Sequence, residues 1–564
     1  MPSVRWGDIV EAKRAKQLAS IPKEWILSSE KLPSNRVLDV TDIPAQSDLF
    51  TSRELEITTS AAETILSRIS GGEWSSLEVT TAFCKRAALA HQLVNCLTEI
   101  FFEDAIQRAI KLDAYYKKTG KTVGPLHGLP ISVKDQVNVK GIETTLGYVS
   151  RVGNVAKKNA VIIDILISLG AIPYVKTNSP QTMIWEETMN NLFGRTLSPL
   201  NRSFTSAGSK WWRRISCRGS PLGLGTDVGG SIRVPAAYAG IYGLRPSYGR
   251  LPFAGIDDVL DGQESIKTVV GPLATSLKGI EILMKSVIEK EPWVGDPLAV
   301  RKPWNEDEHR LLDRGSGKGL CFAIMWDDGI TMPHPPITRG LEMTRKALAK
   351  AGHRVIVWKP PIHHIELSRC MRDILLSGII DDIRGDIESS GEPLITHMAP
   401  EGQTPEHYRR LPEKSASVYE VWQAQKRRRT LREEYWRYWS DTVPLTGTGR
   451  PADAIIAPVN PTAGAPHGKS FVYDYTNAWN VLDYPALTIP VAKVDPIIDK
   501  NVHRDKFFNK RDSKVWGFYD PQVYKDAPIA VQLIGRTLEE EALIGMGEVL
   551  VSALAGNPKV HSKL

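Results

Sequence analysis

The stretch Gly223-Leu-Gly-Thr-Asp-Val-Gly-Gly-Ser-Ile-Arg-Val-Pro-Ala236 decides how this chain is understood. Gly229 and Gly230 stand directly before Ser231. Paired glycines let consecutive backbone N–H groups turn inward toward one point. A hydrolase that forms a tetrahedral oxyanion needs such donors fixed in advance where the charge develops. Pro235 is compatible with the first turn of a helix. Ser231 would then sit near a helix start, where the dipole favours an alkoxide and an oxyanion. Asp227 and Arg233 flank the serine and are expected to pair, bracing the loop. A glycine-serine run on its own is more often a linker or a turn, so the surroundings have to carry the argument.

Outward from this stretch, glycines crowd between residues 219 and 249. Upstream, Ile131-Ser132-Val133-Lys134 alternates with period two, which puts Ser132 and Lys134 on one face of a strand. Residues 159–169 read as a helix ended at Gly170, and Ile172 to Lys176 as the next strand. Farther along, Leu320 to Met325 reads as a strand, Pro336 to Ala351 as a helix, and Arg354 to Trp358 and Ala454 to Ala457 as strands. The N-terminal third reads as helical, with capping-box spacing at Ser60 to Glu63 and at Ser75 to Glu78. The alternation argues for one large α/β unit rather than a string of small domains.

Composition narrows the function classes. Hydrophobic residues make up 42% of the chain and charged ones 24%, as in an ordinary globular protein. The net charge of +7, from 71 basic and 64 acidic residues, is too thin and dispersed for a nucleic-acid partner. The run Lys426-Arg427-Arg428-Arg429 lies in a helical, Trp-rich stretch and reads first as a solvated helix face, with a membrane or nucleic-acid patch as the minor reading. The longest apolar segment, Ala160 to Val175, is interrupted by Asp164, Gly170 and Pro173 and does not read as a bilayer span. No secretory signal is evident, and the five cysteines are odd in number, scattered and without CxxC spacing. A reducing compartment follows, with no disulfide framework and no zinc site. A cytoplasmic location is expected, with a peroxisomal one open because the chain ends Ser562-Lys563-Leu564. Gly315-Ser-Gly-Lys318 has the wrong spacing for a phosphate loop and reads as a turn. Adjacent His363 and His364 point apart and lack a carboxylate cluster, so no metal is expected there. His127, beside the lysine strand, reads as structural rather than as a general base.

Three motifs together resemble the amidase-signature family. Gly225 to Pro235 looks like its central signature, Gly128-Leu-Pro-Ile-Ser-Val-Lys-Asp135 like its lysine motif, and Thr177-Asn-Ser-Pro-Gln181 like its substrate-side loop. Trp6 to Trp25, Ala82 to Ala87, Tyr242 to Ser247 and Ala530 to Gly535 extend the resemblance, in order, to fungal acetamidase-type sequences. The resemblance implies an α/β fold with a mixed, mostly parallel central sheet flanked by helices on both faces. It would comprise an N-terminal helical arm over residues 1–110 and a catalytic unit over residues 111–564. It also implies a Ser–cis-Ser–Lys trio, mapping to Ser231 as nucleophile, Ser209 as proton relay and Lys134 as base. The oxyanion hole would be the N–H groups of Val228, Gly229, Gly230 and Ser231, with Asp227, Arg233, Thr177 and Asn178 in support. A serine hydroxyl is a weak nucleophile until a base takes its proton. A lysine serves only if burial pulls its pKa from about 10 toward neutrality. The implied reaction is hydrolysis of a carboxamide through an acyl-enzyme. The substrate would be a small aliphatic or aromatic primary amide, with no metal or organic cofactor. A homodimer is compatible with it. A glutamine-dependent tRNA amidotransferase subunit uses the same trio, but the two chain ends weigh against that reading.

One segment departs from the pattern. Where the family carries a Gly-Ser-rich loop, this chain has Ala207-Gly-Ser-Lys-Trp-Trp-Arg-Arg-Ile-Ser-Cys217. Bulky indoles and guanidiniums cannot fill space that the family gives to glycine. Lys210-Trp211-Trp212 must be encoded AA(A/G)-TGG-TGG, and one nucleotide later those codons read Asn or Ser, Gly, Gly. Residues 210–217 are therefore expected to be translated out of frame. If the segment is genuine, the expectation is instead a catalytically impaired pseudo-amidase.

Overall fold

The computed structural model describes residues 5–207, 219–359, 362–405, 410–470 and 472–556. Among these residues the thirteen strands are β1 (Leu97–Ile100), β2 (Pro130–Lys134), β3 (Ile172–Thr177), β4 (Met189–Asn190), β5 (Gly194–Arg195), β6 (Leu222–Asp227), β7 (Tyr242–Arg245), β8 (Val269–Ala274), β9 (Cys321–Ile324), β10 (Arg354–Val357), β11 (Ala454–Pro458), β12 (Ala486–Lys493) and β13 (Pro528–Ile534). Eleven of them form one mixed sheet in the order β1-β3-β2-β6-β8-β7-β12-β13-β11-β9-β10, and β4 with β5 makes a separate ribbon. Parallel pairs fall in two blocks, β3-β2-β6 and β11-β9-β10. Antiparallel pairs fill the middle and add β1 at the edge.

Strand alternation assigns the two faces. Phe322, Ile324, Ala454 and Ile456 join one core with the helices Ser76–Val94, Leu277–Ile288 and Glu540–Ala555. Ala323, Met325, Ile455 and Ala457 join another with the helices His364–Leu375, Val418–Ser440 and Asp474–Leu482. Both faces are covered, which is why β2, β3, β6, β8, β9, β11 and β13 are buried along their whole length.

Most expected elements form within a residue or two of their expected ends. Ser75 caps its helix by accepting from the Glu78 N–H. Ser60 does not cap: it closes the helix Ser52–Thr59, and its hydroxyl donates to the Glu56 carbonyl. The next helix starts one residue later behind Ala61, so the expected box is out of step with the chain. The boundary expected at residue 110 falls inside the helix Phe102–Thr119, and β1 ties the preceding segment into the main sheet. Cys84, Cys96, Cys321 and Cys370 are buried free thiols, while Cys217 and the C-terminal Ser562-Lys563-Leu564 lie outside the described residues. Among the described residues, no helix is long and apolar enough to cross a membrane.

Candidate active site

Lys134 ends β2 between two parallel neighbours, in the fully buried part of the sheet. Its side chain is 3% exposed. Nζ donates to Thr226 Oγ1 at 2.8 Å, and Thr226 passes its own hydroxyl proton to Gln136 Oε1 at 2.7 Å. The Thr226 hydroxyl therefore offers the ammonium a lone pair and nothing more. Burial pulls Lys134 down to about 8, against the opposing pull of Asp258, Asp227 and Asp135. Asp258 is itself raised by burial, which weakens it as a counter-charge.

β6 carries Thr226 and stops at Asp227, where the glycine-serine loop begins. Asp227 organises that loop by accepting from the N–H of Gly230 at 2.8 Å and of Ile232 at 3.1 Å. The expected pairing with Arg233 is present at 3.0 Å, with both side chains fully buried. Arg233 also donates to the Thr476 carbonyl and to Asn480 Oδ1, and Asn480 donates back to Asp227. Arg233 and Asn480 together outweigh burial and hold the Asp227 carboxyl far below the usual range.

The turn itself requires glycine. Gly230 has φ +138°, and a Cβ there would lie 2.5 Å from Thr476 Oγ1. That same hydroxyl donates to the Gly229 carbonyl at 2.6 Å, fixing the peptide that precedes Gly230. Because the Gly230 N–H is directed at Asp227, a nest of four oxyanion donors is not what the loop presents. The helix after the loop, Arg233–Ala239, holds Pro235 in its first turn as expected, yet has only seven residues. Its dipole is correspondingly small, and local N–H groups matter more than the helix as a whole.

Val228, Gly229 and half-buried Ser231 form one wall of a cavity of about 230 Å³. Met183, Trp185, Met371 and Leu375 give the facing walls their apolar character. Thr182 and Met183 are consecutive non-glycine residues with positive φ, at 69° and 57°. Such residues persist only when their surroundings over-determine them. Here Gln181 does so, donating to Glu392 Oε2 and accepting from the Ile395 N–H.

Thr177 and Asn178 are buried and do not line this cavity. Thr177 pairs with Lys134 across β2 and β3. Asn178 accepts from Asn190 and donates to Thr196, stitching the substrate-side loop to the β4–β5 ribbon. Ser209 and the anomalous segment 210–217 lie outside the described residues. His127 accepts from the Val123 N–H, and His364 packs on Tyr435, its ring nitrogen and the Tyr435 hydroxyl 3.1 Å apart. The group with metal-ligand spacing among the described residues is Glu281, His309 and Glu548. It does not line the cavity, and Lys278 already occupies both Glu281 oxygens.

Thr226, Gln136, Asp258 and Thr476 were not singled out by the sequence. Thr226 sits one residue before Asp227, so the β6 alternation could have exposed it. Thr476 comes from a helix about 245 residues downstream of Ser231, and nothing local marks it.

The family model "Amidase" matches residues 78–544. An acetamidase of Aspergillus oryzae is 41% identical over 554 residues, covering 97% of this chain and 98% of its own length. An acetamidase of Emericella nidulans is 40% identical over 555 residues, covering 98% of each. Among solved structures, fatty acid amide hydrolase superposes with a TM-score of 0.86 at 31% identity, over 97% of this chain and 95% of that one.

Proposed function

Since the chain belongs to the amidase family and is an amidase, we propose that it hydrolyses small primary amides, with Ser231 as nucleophile, Ser209 as proton relay and Lys134 as the ultimate base. The observation that carries this reading is the buried Lys134, drawn down to about 8 on the strand beside the one that leads into the Ser231 loop. A lysine in that state is neutral often enough near pH 8 to accept a proton, which an exposed lysine is not.

In the proposed cycle, Ser231 Oγ attacks the amide carbonyl while its proton passes through Ser209 to Lys134. The N–H groups of Val228, Gly229 and Ser231 stabilise the oxyanion, since Gly230 is committed to Asp227. The proton returns to the leaving nitrogen, ammonia departs, and water releases the carboxylic acid by the reverse relay. The cavity takes the acyl group along its apolar side, formed by Met183, Trp185, Met371 and Leu375. At roughly 30 Å³ for each water-sized group, its volume suits a short aliphatic chain or one aromatic ring. Ser231→Ala is expected to lower ammonia release from acetamide, butyramide and benzamide by roughly 10⁴-fold or more, with the circular dichroism spectrum unchanged. Turnover within tenfold of the parent would remove Ser231 from the role.

A further inference from the structure

The helix Val418–Ser440 buries Leu431, Tyr435 and Trp439 and turns its opposite side outward. Between that side and the end of the helix Asp474–Leu482 lies a groove of about 630 Å³, within the roughly 300–1,000 Å³ typical of small-molecule sites. Four arginines line it, Arg428, Arg429, Arg432 and Arg437, against a single carboxylate, Glu433. Among the described residues, none of the four has a carboxylate oxygen within ion-pair distance. Arg427, on the same helix, does pair, with Glu366, so the helix meets acidic neighbours elsewhere.

The groove is built rather than merely charged. Arg428 is anchored by donating from Nε to the Val481 carbonyl at 2.8 Å. Burial, then the neighbouring Arg432, draws Arg428 down to about 10, although Asp483 opposes the shift. Arg536 stacks on the Trp439 ring at 5.2 Å, and its buried Nη2 has no hydrogen-bond partner among the described residues. Arg536 and Arg432 both act on the Tyr484 hydroxyl, which forms part of the groove wall. Asp483, the other carboxylate nearby, is bound to Arg245 at 2.8 Å. Guanidiniums held together without counter-charge are stabilised by an anion that accepts several N–H groups at once.

We propose that this groove binds a multiply charged phosphate ester, held by Arg428 and Arg432 with the exposed Arg429 and Arg437 beside them, and with Arg536 adding positive charge behind the Tyr484 wall. Phosphate suits the planar forks of arginine better than a single carboxylate does, because its oxygens meet several forks together. The groove shares no lining residue with the cavity beside Ser231. Ligand binding and amide turnover are therefore separable.

The test is isothermal titration of the whole chain with pyrophosphate and with ADP at about 0.15 M salt, where long-range attraction between exposed charges is largely screened. In parallel, sedimentation would use phosphatidylcholine vesicles with and without a phosphatidylinositol phosphate. Saturable binding of a soluble probe, weakened about tenfold or more in Arg429→Gln/Arg432→Gln, upholds the site, with acetamide turnover unchanged. Binding confined to the phosphoinositide vesicles, and lost in the same variant, upholds the phosphate chemistry and assigns it to a lipid head group. Arg428→Gln is expected to show the same loss, and the double variant keeps the test decisive if Arg428→Gln does not fold. Absence of saturable binding to every probe, or binding undiminished in the double variant, overturns the proposal.

Discussion

Lys134 Nζ donates to Thr226 Oγ1 at 2.8 Å, while the Thr226 hydroxyl donates onward to Gln136. The direction of that chain matters. A hydroxyl already committed as donor can receive a hydrogen bond from an ammonium, but it cannot donate one to a neutral amine. The contact therefore favours the charged lysine, while burial favours the neutral one and, against the charges of Asp258, Asp227 and Asp135, draws Lys134 down to about 8.

A pH profile follows from this balance. The proposed reaction needs the neutral lysine, so kcat/KM for acetamide should rise with pH through about 8 and level off above it. Thr226→Val removes the acceptor that favours the ammonium and should move the midpoint downward. A profile that is flat from pH 6 to 9 in the parent would rule out Lys134 as the base.

The same group has a stability signature. Its folded value is below that of an unfolded lysine, so the unfolded chain binds more protons between those two values. Stability should rise with pH across that window, and the penalty should be full below it. At about 1.4 kcal/mol per unit, Lys134→Met should recover up to roughly 3 kcal/mol at pH 7 while abolishing turnover. A melting temperature lowered by several degrees in that variant would contradict the account.

Arg233 should behave in the opposite way. Arg233→Met leaves the buried Asp227 unpaired, and breaking such a pair typically costs about 3–5 kcal/mol. Because the Asp227 carboxyl is depressed, its contribution is complete above the ordinary carboxylate range and is lost only as pH falls below it. Urea unfolding should thus show the same loss at pH 6 and pH 8.

Gly230→Ala combines a disfavoured φ with a Cβ 2.5 Å from Thr476 Oγ1. The loop must shift, and the N–H groups around Ser231 shift with it. A fall in kcat of about 100-fold is expected, the scale of losing one oxyanion donor, with KM changed far less.

The apolar cavity sets acyl preference. Met371 lies against the Gly229 turn and lines the cavity beside Ser231. Met371→Trp should reduce kcat/KM for benzamide at least about tenfold more than for acetamide. Equal effects on both substrates would place the acyl group elsewhere.

Segment 210–217 makes its own prediction. Messenger RNA sequenced across codons 205–222 should read Ser-Gly-Gly-Glu-Gly after Ser209; the one-nucleotide shift of Lys210-Trp211-Trp212 requires Asn or Ser and then Gly-Gly, and permitted arginine codons supply the Glu. A transcript confirming Lys-Trp-Trp-Arg-Arg would instead describe an impaired relative.

Much of the architecture was legible because it is local. The period-two run at 131–134, the glycine turn at 229–230 and the Asp227–Arg233 pair all depend on residues within a few positions of one another. What escaped was tertiary. Thr476 and Asn480 reach the Ser231 loop from a distant helix, and Thr226 matters only because β6 lies beside β2. The Ser60 box failed for a related reason, since spacing alone cannot tell which of two abutting helices a serine terminates. The inward commitment of the Gly230 N–H is likewise invisible in a motif that only records a glycine.

The most direct test of Ser231 as nucleophile is labelling with a fluorophosphonate, followed by intact mass and peptide mapping. The account predicts one adduct, on Ser231, forming in step with loss of amide turnover and absent from Ser231→Ala. An adduct on a different residue, or full loss of activity with Ser231 unmodified, would contradict it.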